Sequence, residues 1–157
     1  MTWRGSTTIP ERIFSSLPYL LPLIDAIAYS GSFFRVFPQL QIFLAPLVPV
    51  MVLYAQIPFA GLVVFFALFF LVVRNEKVPH IIRFNTMQAL LVDILLVIVS
   101  LILPLLGQSG LGIVVTALSS TVFLGVLAIF IYSVVQSLRG VYAEIPTLSD
   151  AVYSQVQ

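Results

Sequence analysis

Two carboxyl groups stand inside stretches that are otherwise nearly pure hydrocarbon: Asp25 in IFSSLPYLLPLIDAIAY and Asp93 in MQALLVDILLVIVSLIL. A carboxylate removed from water must be protonated, paired or turned toward a wet cavity. Left charged and alone in lipid it costs on the order of 3 kcal/mol or more. Asp93 follows a polar run, Arg83, Asn85, Thr86 and Gln88, and residues 74–93 hold five of the thirteen charged side chains. The two aspartates could act as a dyad only if the fold brought them level. Nothing else resembles a catalytic set: there is no HExxH, no GxSxG, no glycine-rich phosphate loop and no cluster of carboxylates. Cysteine is absent, which excludes disulfides, zinc–thiolate sites and thiol catalysis. His80, the one histidine, follows Pro79; with no second imidazole it is expected to be a solvated loop residue. Neither an enzyme nor a bound cofactor or metal is expected.

The elements that must position these residues are membrane elements. The chain is 61% hydrophobic and 8% charged, against about 25% charged residues in a soluble domain. Several apolar runs approach the ~20 residues a helix needs to cross hydrocarbon. The expectation is a single all-α integral membrane domain over residues 1–157. Net charge is +1 with no basic arm, so nucleic acid is not implied. The polar start, MTWRGSTTIPER, and the prolines and aspartate in the run after it do not fit a secretory signal peptide.

Four spans are predicted, at about 13–29, 57–73, 84–106 and 111–138, with a polar tail over 139–157. Residues 33–54 are apolar but contain Pro38, Pro46 and Pro49. Proline removes a helical hydrogen bond that lipid cannot replace, so this stretch is predicted to be interfacial or re-entrant. Charge counting supports four spans. One side then receives Arg4, Arg12, Arg74, Lys77, Arg83 and Arg139, and the other only Arg35. Five spans would reduce that split to five against two. With four, both termini and the loop after Val73 face the side of synthesis, cytoplasm or stroma. The turn LGQSGL makes the last two helices a hairpin. Gly140 is placed to stop the fourth helix, and residues 147–157 to form a short surface helix.

Within the spans the polar residues fall into stripes. Ser15, Pro18, Pro22, Asp25 and Tyr29 share one face of the first helix, where the prolines kink it and free carbonyls. Thr86, Asp93 and Ser100 recur at seven-residue spacing on the third, with Arg83 within about a quarter turn. Arg83 or an arginine from a neighbouring helix is a candidate partner for Asp93. The four-span layout places Asp25 toward the far side and Asp93 toward the near side, which argues against a dyad. The candidate polar face is therefore Asp25, Arg83, Asn85, Thr86, Gln88 and Asp93, as a cavity lining or as interhelical glue. On the fourth helix Ala117, Thr121, Gly125, Ala128, Tyr132 and Gln136 share a face. Thr121, Gly125, Ala128 and Tyr132 are the candidate helix-packing residues, because small side chains admit a neighbouring backbone.

Three blocks carry a family resemblance: ERIFSSLPYLLPLIDAI (11–27), VVRNEKVPHIIRFNTMQALLVDI (72–94) and YSVVQSLRGVYAEIPTLSDA (132–151). They resemble the twenty-kilodalton subunit family of the Tic complex, the protein translocon of the chloroplast inner envelope. RFNTMQA is the most specific piece and YAEIP the second. The resemblance implies four membrane helices, both termini cytoplasmic or stromal, and a role in, or ancestry of, a protein-import channel. Plant members carry a transit peptide and an N-terminal extension. This chain opens on a methionine almost at the first helix, as cyanobacterial and plastid-encoded relatives do. The implied location is a cyanobacterial membrane or a plastid inner envelope or thylakoid.

Three functions follow. The first is a subunit of a protein-conducting complex, with other membrane subunits or further copies of the chain as partners, a translocating polypeptide as passenger and the bilayer as solvent. Four packed helices fill their own centre with side chains, so conduction would require partners. The second is a small-solute or proton-coupled carrier, which a membrane-embedded carboxylate fits. The third is a structural or assembly subunit of a larger membrane complex.

Overall fold

The computed structural model describes residues 6–156, and every regular element among them is helical. Arg4 and Gln157 lie outside the described residues. The first apolar segment begins at a capping box. The Thr8 hydroxyl accepts from the Glu11 amide at 3.4 Å, and the Glu11 carboxylate accepts from the Thr8 amide at 2.7 Å. Helix α1 (Ile9–Ser16) passes through a 3-10 turn at Leu17–Tyr19 into α2 (Leu20–Ala26), and a second 3-10 turn follows at Ile27–Tyr29. The first 3-10 turn contains Pro18, a residue without an amide hydrogen for the i−4 bond. The segment 9–29 is thus one helical run made of short pieces.

Two long helices form the frame. Helix α6 (His80–Gln108, 29 residues) and α7 (Gly112–Leu138, 27 residues) rise about 44 and 40 Å at ~1.5 Å per residue. Both exceed the ~30 Å of a hydrocarbon core. They are joined by a tight turn in which Gly110 adopts φ +79, and α7 ends at Gly140, φ +74, whose amide bonds the Ser137 carbonyl at 2.9 Å. The predicted hairpin and stop are formed there.

The middle of the chain departs from the expected layout. By length and composition three helical stretches can cross a membrane: Pro38–Gln56, His80–Gln108 and Gly112–Leu138. Residues 38–56, expected to be non-spanning, are helical throughout, 3-10 over Pro38–Leu47 and then α4 (Val48–Gln56). Helix α3 (Gly31–Val36) precedes them. Pro38 and Pro49 each fall in the first turn of their helix, where the missing amide would have been unpaired anyway. For these two, position, which proline content does not reveal, makes them tolerable; Pro46 falls inside the 3-10 stretch. The expected span at 57–73 is reduced to α5 (Ala60–Leu68) and a π-turn (Phe69–Val73). Those fourteen residues cover about 21 Å at ~1.5 Å each, short of a full crossing. The chain reverses at 57–59, where Phe59 takes a left-handed φ of 56.

The core has two layers. One packs Leu21, Val73, Phe84, Met87 and Leu90 against Val152 and Val156; the other packs Ala26, Phe34, Val92 and Leu96 against Phe123 and Val126. The first layer includes α8 (Leu148–Gln155). This tail helix, expected on the surface, is docked on α6, with Val152 fully buried. Ser6, Thr7, Glu11, Pro79, His80, Gly140 and Tyr142 line one cavity of about 260 Å³. The start of the described chain, the loop before α6 and the end of α7 therefore share one end of the bundle. Beyond that packed half the hairpin stands out alone: Leu101, Leu105 and Ile113 are exposed, the last at 88%.

Candidate functional site

Three polar steps mark where the first segment runs alongside α6. Tyr19 meets Asn85 and Gln88, Asp25 meets Asp93, and Tyr29 reaches the Leu96 carbonyl at 3.4 Å. The two elements run in the same direction from the shared end. Asp25 is sixteen residues past Ile9 and Asp93 thirteen past His80, about 24 and 20 Å at ~1.5 Å per residue. The carboxyls are level.

The first step is closed and satisfied. The Tyr19 hydroxyl donates to Asn85 Oδ1 at 2.9 Å and accepts from Gln88 Nε2 at 2.9 Å. Gln88 Nε2 also donates to the Ala143 carbonyl at 2.7 Å, and Gln88 Oε1 accepts from the Ser149 hydroxyl at 2.9 Å. Asn85 Nδ2 donates to the Ile81 carbonyl at 2.8 Å, and Asn85 Oδ1 accepts a second bond from Ser137 at 3.3 Å. All five side chains are buried. An amide can make these bonds inside a bundle without a charge to desolvate, so the network ties the first segment, α6, α7 and the tail into one unit. His80, exposed as expected but placed at the first residue of α6 rather than in a loop, adds to the tail contact. Its Nδ1 lies 2.9 Å from the Tyr142 hydroxyl and its Nε2 3.3 Å from the Val156 carbonyl.

The second step is acidic and incomplete. Asp25, Tyr29, Asp93, Leu96, Val97 and Ser100 line a cavity of about 220 Å³, so both acids border the same small space. Tyr54 of α4 donates its hydroxyl to Asp25 Oδ1 at 2.9 Å. Gly61 makes room for that bond: a Cβ there would stand 2.8 Å from the Tyr54 hydroxyl oxygen and 3.7 Å from Asp25 Oδ2. The reversal at 57–59 is what brings Tyr54 and Gly61 to the same acid. Asp93 is only 5% exposed, and its Oδ1 is buried without a partner. The other buried unpartnered side-chain atoms among the described residues are the hydroxyls of Thr86 and Ser133.

This overturns the expectation that Asp25 and Asp93 lie at different depths. Asp25 sits near the end of its own segment, but α6 continues fifteen residues past Asp93, so the end of the first segment is the middle of the bundle. Arg83, offered as a partner for Asp93, instead turns its Nε to the Val73 carbonyl at 2.9 Å. Thr86 opens on a different space, an apolar groove of about 600 Å³ between the first segment and the 60–73 helix, with Lys77 at its rim. Of the six polar residues singled out, Asn85 and Gln88 belong to the closed network and Asp25 and Asp93 to the acid pair. The expected packing face of α7 is exposed at Thr121, Gly125, Ala128 and Tyr132, and of these the Tyr132 side chain reaches beyond the helix, donating its hydroxyl to the Glu144 carbonyl at 3.0 Å. Helix α7 enters the bundle through Phe123, Val126, Ser133 and Ser137 instead, a face of larger and polar side chains.

Sequence reasoning missed Tyr19, Tyr54, Gly61, Ser137 and Ser149. Tyr19 reads as an interfacial anchor yet is fully buried. Tyr54 had a usable signal, a single hydroxyl at the end of an apolar run.

The fold and the site together define a helical integral membrane protein whose polar groups are gathered between helices rather than into a catalytic set. The family model described as chloroplast import apparatus, Tic20-like, matches residues 6–152, and the chain belongs to that family. A Tic20 family protein of Synechocystis sp. is 48% identical over 94% of this chain and 93% of its own length. The Arabidopsis thaliana proteins TIC 20-II and TIC 20-v, both chloroplastic, are 36% and 35% identical over 99% and 96% of this chain, and 78% and 73% of their own lengths. The family is defined by a role in import, not by a reaction.

Proposed function

We propose that this chain is a membrane subunit of a preprotein-import complex of the Tic type, contributing to a protein-conducting path together with partners. The match to the import-apparatus family over residues 6–152 carries the reading. Packing supports the need for partners. The centre of the bundle is filled by Tyr19, Phe84, Gln88 and Leu90, all fully buried, so an extended polypeptide has no way through one copy. The far half of the α6–α7 hairpin and the small-residue face of α7 are uncovered and could meet other subunits, further copies or the passenger. Both termini are assigned to the cytoplasmic or stromal side, in keeping with the six-to-one distribution of basic residues and the shared end described above.

The test uses the absence of native cysteine. Single substitutions Thr121→Cys, Gly125→Cys and Ile113→Cys, in native membranes holding an arrested preprotein, are expected to crosslink to the preprotein or to a neighbouring membrane subunit. If all three react only with lipid-soluble reagents and never with protein, the import-subunit reading fails.

A further inference from the structure

We propose that Asp25 and Asp93 form a binding site for one small monovalent cation, a proton or an alkali-metal ion, between the first helical segment and α6. Four observations carry the proposal. The two carboxyls share one cavity of about 220 Å³, to which Tyr29 and Ser100 add hydroxyl oxygens. Asp93, which lines that cavity, is 5% exposed, and its Oδ1 is buried with no hydrogen-bond partner. The lining contains no basic side chain; the titratable groups facing the pair are Tyr29 of the first segment and Tyr54 of α4, while α5 contributes only Gly61 and α7 nothing to the lining. The site is also built: Gly61 leaves the gap through which Tyr54 fixes Asp25.

Two carboxylates side by side repel, and out of water the repulsion is little screened. The hydrogen bond from Tyr54 eases Asp25 but leaves the buried Asp93 oxygen unanswered. A positive charge between the two acids answers both, and hard oxygen donors suit a proton or a small hard ion rather than a soft metal. The depth fits as well. Asp93 is thirteen residues from one end of α6 and fifteen from the other, the mid-helix depth at which secondary transporters place their coupling-ion sites. The first segment tightens to a 3-10 turn at the site, over Ile27–Tyr29. Binding there would pull the first segment, α4 and α6 together.

The proposal is independent of the import role, because it is tested on the purified full chain in lipid nanodiscs. Thermal unfolding is followed in sodium chloride against choline chloride at equal ionic strength, and separately over a pH series in choline. The midpoint is expected to rise by about 5 °C or more when the site fills. A rise with sodium over choline assigns an alkali-metal ion. A rise on acidification alone, larger than in Asp25→Asn/Asp93→Asn, assigns a proton. The sodium response must vanish, and the response to acid must shrink, in the double variant; should that variant not fold, the same must hold in Asp25→Asn and in Asp93→Asn tested singly. If wild type and variants respond identically to sodium and to pH, there is no cation site.

Discussion

The first segment meets α6 at two polar junctions one and a half turns apart, and they differ in how fully they are satisfied. At Tyr19, Asn85 and Gln88 each donor finds an acceptor, and every partner is neutral. At Asp25 and Asp93 two acids meet, one oxygen has no partner, and a cavity opens beside them. Neutral, saturated networks hold helices together at modest energy, roughly 0.6 kcal/mol per interhelical bond. Unsatisfied ionisable groups inside a membrane are costly to keep and mark sites that act. The first junction is where the bundle is fastened; the second is where it has something left to bind.

The sharpest way to break that contrast is at Gln88. Gln88→Leu strands the Ala143 carbonyl and the Ser149 hydroxyl and should cost about 3 kcal/mol. It should also release the tail, read as a lower unfolding midpoint and faster proteolysis within residues 141–156. Gly61→Ala comes next, at about 2 kcal/mol, because the new methyl meets the Tyr54 hydroxyl. Adding Tyr54→Phe should recover part of that loss, and a double-mutant cycle measures the coupling. Asp93→Asn should change stability by about 1 kcal/mol or less, since it removes a repelling charge together with a hydrogen-bond acceptor. A loss as large as that of Gln88→Leu would erase the distinction between the junctions. Gly125→Leu on the outward face of α7 should leave the isolated chain within about 0.5 kcal/mol of wild type, while lowering the yield of co-purifying membrane subunits.

Much of this was legible in the residues. The scarcity of charge gave a membrane protein, the long apolar runs gave α6 and α7, and Gly140 gave the end of α7. The stripe Ser15, Pro18, Pro22, Asp25 and Tyr29 lies on a buried or half-buried face; of the stripe Thr86, Asp93 and Ser100 the first two are buried and Ser100 is exposed. What was not legible was relative depth. A hydropathy window places each segment against an ideal bilayer, not against its neighbours, so the offset between Asp25 and Asp93 depended on where α6 stops. The helicity of 38–56 was hidden for a local reason: a count of prolines does not say that Pro38 and Pro49 fall in first turns while Pro46 alone lies inside a helix. The face of Thr121 and Gly125 shows the reverse error. Small residues permit close approach, but within this chain the larger Phe123 and Val126 fill the space.

The placement of the two acids can be measured directly in native membranes with Asp25→Cys/Asp93→Cys, in a chain that has no other thiol. A short bis-maleimide should join the two thiols within one chain, and mass spectrometry should find the linked peptides. If instead each cysteine is labelled separately by a water-soluble maleimide from opposite faces of the membrane and no link forms, the acids never meet and the account of the second junction is wrong.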